Sequence, residues 1–209
     1  MTDRVSAEAA TAARKRDHLQ INLHDEVSFA TLTTGLEAIR VRARALPERD
    51  LDTVDLSLRL WGRRLAAPLL VSCMTGGVGE AGPVNRALAE AAQAHRVAMG
   101  LGSGRALLEG ADPASFHVRD VAPDVLLLAN LGAVQLRQYG PAACARLVAA
   151  CQADALVLHL NAVQEAIQAA GPSAGGRTAG TAGGVRPPGD TAFGGVLARI
   201  AEVCARLEV

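Results

Sequence analysis

The chain has 209 residues, half of them hydrophobic, with formal net charge +0 and only 2% aromatic residues. That is enough apolar material for one sizeable aliphatic core, of the kind that buried parallel strands under Ala-rich helices require. The balanced charge argues against a general nucleic-acid or membrane-surface binder, and the apolar runs are too short to span a bilayer.

Residues 1–66 read as an N-terminal extension. Its start carries Asp3 and Glu8 and no long apolar stretch, so no signal peptide is expected and the expected location is the cytoplasm. Arg14-Lys15-Arg16-Asp17-His18-Leu19 is a compact charged cluster, either a solvated face or a cationic arm over an anionic ligand. Asp50 to Leu60 alternates loosely and suggests a short strand.

From residue 67 the pattern changes. Four apolar runs begin near Pro68, Val97, Val125 and Ala155, roughly 30 residues apart, the length of one strand–helix unit. Pro68–Ser72, Val97–Leu101, Val125–Ala129 and Ala155–Leu160 are the expected strands. Pro83–His95 is an expected helix with Val84, Leu88 and Ala91 on its buried face. Asp112-Pro113 opens a short helix, and Pro141–Gln152 forms another. Residues 169–188 are Gly-, Ala- and Pro-rich and read as a low-complexity linker, with Asp190 capping a last apolar helix. The expected fold class is therefore α/β: four βα units behind the extension, forming either the first half of a barrel (a partial TIM barrel) or a small open sheet. Eight units need ~250 residues.

Each strand ends in a small or polar cluster, which is where β/α barrels build active sites. Met74-Thr75-Gly76-Gly77 lets backbone N–H groups approach a flat ring or a phosphate, or is a plain turn. Gly102-Ser103-Gly104-Arg105 suits an anion, since guanidinium binds phosphate bidentately, or is a turn with a solvated Arg. Asn130 follows an apolar strand and needs a partner, either a heterocycle or neighbouring backbone. His159-Leu160-Asn161 leads to Gln164-Glu165, where Glu165 offers a hard oxygen for Mg²⁺. The four cysteines, Cys73, Cys144, Cys151 and Cys204, form no zinc-like spacing and read as buried hydrophobes in a reduced compartment.

Together, R-K-R-D-H-L at 14–19, M-T-G-G at 74–77, G-S-G-R at 102–105, A-N-L-G-A at 129–133 and H-L-N-x-x-Q-E at 159–165 resemble the type 2 isopentenyl-diphosphate delta-isomerase family. The resemblance implies a β/α barrel that interconverts isopentenyl and dimethylallyl diphosphate with reduced FMN and Mg²⁺, NADPH serving as reductant. It implies Met74, Thr75, Gly76, Gly77, Ser103 and Asn130 as FMN contacts. It assigns Arg14, Lys15, Ser103, Arg105 and Gln164 to the substrate diphosphate, Glu165 to Mg²⁺, and Gln164 with His159 to catalysis. It also implies a homo-oligomer with no nucleic-acid or membrane partner. The chain departs from the family at Gly104, where many relatives carry a larger polar residue, at the linker, and in lacking the second half of the barrel. An impaired or inactive product is therefore expected. The rival readings are another FMN-dependent barrel oxidoreductase acting on a hydroxy acid, and a non-catalytic gene fragment.

Overall fold

A computed structural model describes residues 16, 17, 20–160, 200 and 203. The expected linker at 169–188 and the Asp190 cap lie outside these residues. The core is a parallel sheet of four strands in the order β3 (Leu70–Val71), β4 (Ala98–Ser103), β5 (Leu127–Gly132) and β6 (Ala155–His159). Register partners Leu70–Ala98, Met99–Leu127 and Leu128–Ala155 keep the even spacing seen in the sequence. The class is α/β with a parallel sheet.

The two faces of the sheet are covered differently. Met99, Leu101, Leu127, Ala129 and Leu131 point into the main core, beneath the helices α1 (Ala81–His95) and α3 (Leu136–Ala150). Ala98 and Leu128, of opposite parity, pack with Leu126 around Leu65. Leu65 belongs to an antiparallel hairpin, β1 (Leu58–Leu60) with β2 (Arg63–Leu65). Helices thus cover one face, and the hairpin covers part of the other. Ile200 and Val203 are both helical and join the main core, as expected for the last apolar helix.

Several elements differ from the sequence reading. The strand expected within Asp50 to Leu60 is confined to Leu58–Leu60, with a 3₁₀ turn at Leu51–Thr53 before it. The hairpin turn is Trp61-Gly62, both at positive φ, 45° and 78°. A tryptophan there gives no ordinary turn signal. In α1 the buried residues are Ala81, Asn85, Ala89 and Ala92, while Val84 is exposed. Asn85 rotates the stripe because its amide is needed inside, as described below. Asn130 to Gly132 lie within β5 rather than after it. The helix expected at Pro141 starts earlier, at Leu136, and breaks at Gly140, whose φ is 70°. A proline at the first position of the second segment is pre-set for a helical restart.

At the amino-terminal end of the sheet a half-buried charge, Asp154, holds three segments together. Asp154 Oδ1 accepts from Arg63 Nη2 at 2.7 Å, and Asp154 Oδ2 accepts from Arg119 Nη2 at 2.7 Å. The Leu127 N–H donates to the same Oδ2 at 2.9 Å. Arg119 also donates to the carbonyls of Val125 and Gln152. Hairpin, sheet and the loop before β5 are therefore fixed at the end remote from the polar clusters.

Residues 20–57 contribute little to this core. Phe29, Val41, Leu46 and Leu51 are exposed, Val41 by 87%. Leu69 and Leu70, at the terminal strand β3, are exposed as well. An apolar surface of that extent drives association. The 209-residue chain is expected to sediment as a dimer or larger species and to bind a hydrophobic dye. A monodisperse monomer without dye binding in analytical ultracentrifugation and fluorescence would contradict this.

Candidate functional site

The carboxyl ends of β3 to β6 gather the polar clusters on one edge. Between Gly100 and Ser103 the β4–β5 register slips by one residue, and Ser103 comes opposite Asn130. A bulge of this kind re-aims a side chain at a sheet edge. Here it places Ser103 beside Asn130 on the face away from the helices.

The loop after β3 is held from three sides. The Gly102 N–H donates to the Thr75 carbonyl at 2.8 Å. The Asn85 amide donates to the carbonyls of Thr75 at 3.2 Å and Ser115 at 2.7 Å. The Gly77 N–H donates to Ser115 Oγ at 2.9 Å, and Gly77 has a φ of 81°, a conformation that strongly favours glycine. A side chain at Gly102 would run into the Thr75 backbone, and one at Gly100 into the Cys73 sulfur. Met74 is exposed, whereas Gly76 is buried under the Phe116 ring. Asn85 and Ser115 were not foreseen. A polar residue in an alanine helix announces no partner thirty positions away.

Asn130 does not spend its side chain on neighbouring backbone. Its Oδ1 lies 3.0 Å from His159 Nδ1, and it also hydrogen-bonds the Cys73 thiol. A carboxamide oxygen only accepts, so the His159 Nδ1 carries a proton. The Nε2 atom is then the free end of the ring, directed past Gly132, where a side chain would touch it. Burial pushes the Cys73 thiol up, against the opposing pull of its bond to Asn130. Cys73 is thus a neutral hydrogen-bonding group. Burial alone pushes Cys151 to about 12, which agrees with a packing role.

Arg105 opens the one-turn helix α2 (Arg105–Leu108). It is not the solvated Arg of a plain turn. Its Nε donates to Glu109 Oε1 at 2.7 Å, and the Tyr139 hydroxyl donates to the same oxygen at 2.9 Å. The Arg105 N–H reaches Ser103 Oγ at 3.5 Å. Gly104 lies flush on Leu147 and donates its N–H to the Asn130 carbonyl at 2.7 Å. A larger residue at 104 would have to displace Leu147.

The structure therefore brings Thr75, Gly76, Gly77, Ser103, Arg105, Asn130 and His159 to one edge. Arg14, Lys15, Gln164 and Glu165 lie outside the described residues. Their neighbour Arg16 donates to Glu80 Oε1 at 2.9 Å, next to the start of α1 on the same edge. Among the described residues no group of three or more acidic, His or Cys side chains is placed to hold a metal. No described helix is long and apolar enough to cross a membrane.

Close glycine packing with a buried amide beyond it fits a flat polar ring. Similarity to known proteins agrees with that geometry. Residues 7–110 match the family model described as FMN-dependent dehydrogenase, a TIM-barrel class that uses FMN. The chain is 47% identical over 208 residues to an isopentenyl-diphosphate delta-isomerase of a Synechococcus species, covering 98% of this chain and 54% of that protein. It is 44% identical to the Nostoc protein of that name, with the same coverage. With the Rickettsia felis protein of that name it shares 50% identity over 160 residues, 76% of this chain and 46% of that protein. The chain belongs to the type 2, FMN-dependent isopentenyl-diphosphate delta-isomerase family. It spans about half the length of the curated relatives it matches.

Proposed function

We propose that this chain carries the flavin-ring and diphosphate ends of a site that interconverts isopentenyl diphosphate and dimethylallyl diphosphate. The observation that supports this most is the edge itself, where Ser103, Arg105, Asn130 and His159 converge beside the Thr75–Gly77 loop. Reduced FMN supplies acid–base chemistry at the allylic carbons, with no net redox. Thr75, Gly76 and Gly77, with Ser103 and Asn130, hold its ring, and the exposed Met74 borders it. Asn130 also governs the histidine. By accepting from His159 Nδ1 it fixes the tautomer and leaves Nε2 toward the substrate. Ser103 and Arg105 take the diphosphate from below. Arg14 and Lys15 close over it as an arm, a role supported by the pairing of the next residue, Arg16, with Glu80 at the start of α1. Gln164 hydrogen-bonds the substrate, and the unprotonated His159 Nε2 faces its allylic part as an acceptor. Glu165 ligates the Mg²⁺ that neutralises the diphosphate.

The further readings are a half-barrel, a homo-oligomer, a cytoplasmic location and NADPH as the source of reduced flavin. On the half-barrel reading, the described strand ends hold the flavin ring. The 209-residue chain is accordingly expected to quench FMN fluorescence weakly and saturably, and to turn over no isopentenyl diphosphate alone. Tight FMN binding with turnover would overturn the half-site reading. Absence of any saturable FMN binding would overturn the flavin reading.

Two substrates separate the rival oxidoreductase. Adding dimethylallyl diphosphate should perturb the bound-flavin spectrum, and a 2-hydroxy acid should not. The reverse result would favour the dehydrogenase chemistry in the matched family's description. Glu165→Gln is expected to remove the Mg²⁺ dependence of diphosphate binding in equilibrium dialysis, since it replaces a hard anionic oxygen with a neutral amide. An unchanged Mg²⁺ response would remove Glu165 from the metal site.

A further inference from the structure

Arg105 starts a helix of only one turn, so its side chain gains no orientation from a long rigid element. The guanidinium is half-buried, and its bond to Glu109 runs through Nε. A Glu109 partner four residues on would, by itself, be an ordinary helical ion pair of small effect. The third member is what sets this one apart. Tyr139 comes from α3, thirty positions away, and donates to the same Glu109 oxygen at 2.9 Å. It sits immediately before Gly140, where α3 breaks. Burial, then the bond to Glu109 and its charge, push the Tyr139 hydroxyl up, which keeps it a donor. The carboxylate is thus fixed from a second element, and it grips the guanidinium side-on. The bond through Nε leaves the two Nη groups as the end-on edge of the guanidinium, the one suited to bidentate contact with a phosphate.

We propose that Glu109 and Tyr139 are positioning residues that hold Arg105 with its Nη edge presented to a diphosphate. The proposal rests on the reading of Arg105 as a diphosphate-binding residue and names what makes that residue competent. It opposes a simpler electrostatic view. A carboxylate this close to an anion site should repel the anion, so its removal should tighten binding. Positioning demands the reverse, because an unpaired Arg105 loses its fixed direction.

The test is equilibrium dialysis of inorganic diphosphate against the 209-residue chain, which tolerates self-association. Glu109→Ala is expected to weaken binding on the order of tenfold, and Tyr139→Phe, which keeps the ring packing, about threefold. Glu109→Gln still accepts from Arg105 and Tyr139, so it is expected to bind within about twofold of the parent chain. A purely structural role would show no such rescue. Tighter or unchanged binding in Glu109→Ala or Tyr139→Phe would overturn the proposal, as would a Glu109→Gln loss equal to that of Glu109→Ala. Parent chain that binds no diphosphate, or binds it equally well as Arg105→Ala, would instead remove the diphosphate reading and the positioning role with it.

Discussion

Asp154→Asn is expected to lower the unfolding free energy at pH 7 by about 3 kcal/mol, because two half-buried guanidinium groups lose one shared anion. Arg63 and Arg119 each lie 2.7 Å from a different oxygen of that carboxylate. The side chain of Asp154 is only 17% exposed, so solvent screens these pairs less than surface ones. The acid limb carries a second signature. Desolvation would raise the Asp154 carboxyl, but the Leu127 N–H and the Arg119 and Arg63 guanidinium groups outweigh it and hold the carboxyl below its usual range. Its folded value is therefore lower than the unfolded ~3.9. The stabilisation is complete above that unfolded value and is lost as pH falls through the folded one. Parent and variant should converge as pH falls through that folded value. Urea unfolding at matched protein concentration checks both. Equal midpoints at pH 7, or a gap that widens in acid, would show that the network is not what fastens this end.

The second large effect belongs to Gly102. An alanine there meets the Thr75 backbone, not a flexible side-chain tip. Either the loop after β3 moves or β4 does, and overpacking of this kind costs about 2 kcal/mol. The same displacement carries Thr75 to Gly77 away from Ser103 and Asn130, so FMN quenching should weaken at least about tenfold, as misplacement of a pre-formed site does. Gly79→Ala is the control, since it lies in the same loop with open space around it and no positive φ. Gly102→Ala with parental stability and FMN affinity would show that the close approach has no role in the site.

What the sequence revealed about the fold was the periodic part. Apolar runs at even intervals gave the four strands, and the Asp112 cap appears as read, with its Oδ1 accepting from the Ala114 N–H at 2.9 Å. What it concealed was every feature set by a distant partner. Asn130 looked like the residue after a strand because an amide inside an apolar strand is costly. It is tolerated there because His159, on β6, and Cys73, after β3, satisfy it. Asn85 shifts the buried face of α1 for the same reason. Asp154 reads as an ordinary residue before a strand, since its arginine partners lie 91 and 35 positions away.

At the site, the strand-end clusters themselves were legible, because glycine, serine and arginine in short runs carry their chemistry locally. Their supports were not. Glu109 could be paired with Arg105 by helical spacing, but Tyr139 had no local signal. Ser115, which holds the Gly77 N–H, sat unnoticed behind the Asp112-Pro113 turn.

The proposed site puts the flavin at the carboxyl edge of this sheet and not at its amino-terminal end. Hydrogen–deuterium exchange with and without FMN tests it most directly. Added protection is expected in peptides spanning residues 73–78, 102–106 and 129–133, with no change around Arg63, Arg119 and Asp154. Protection confined to that opposite end, or none anywhere at saturating FMN, would contradict it.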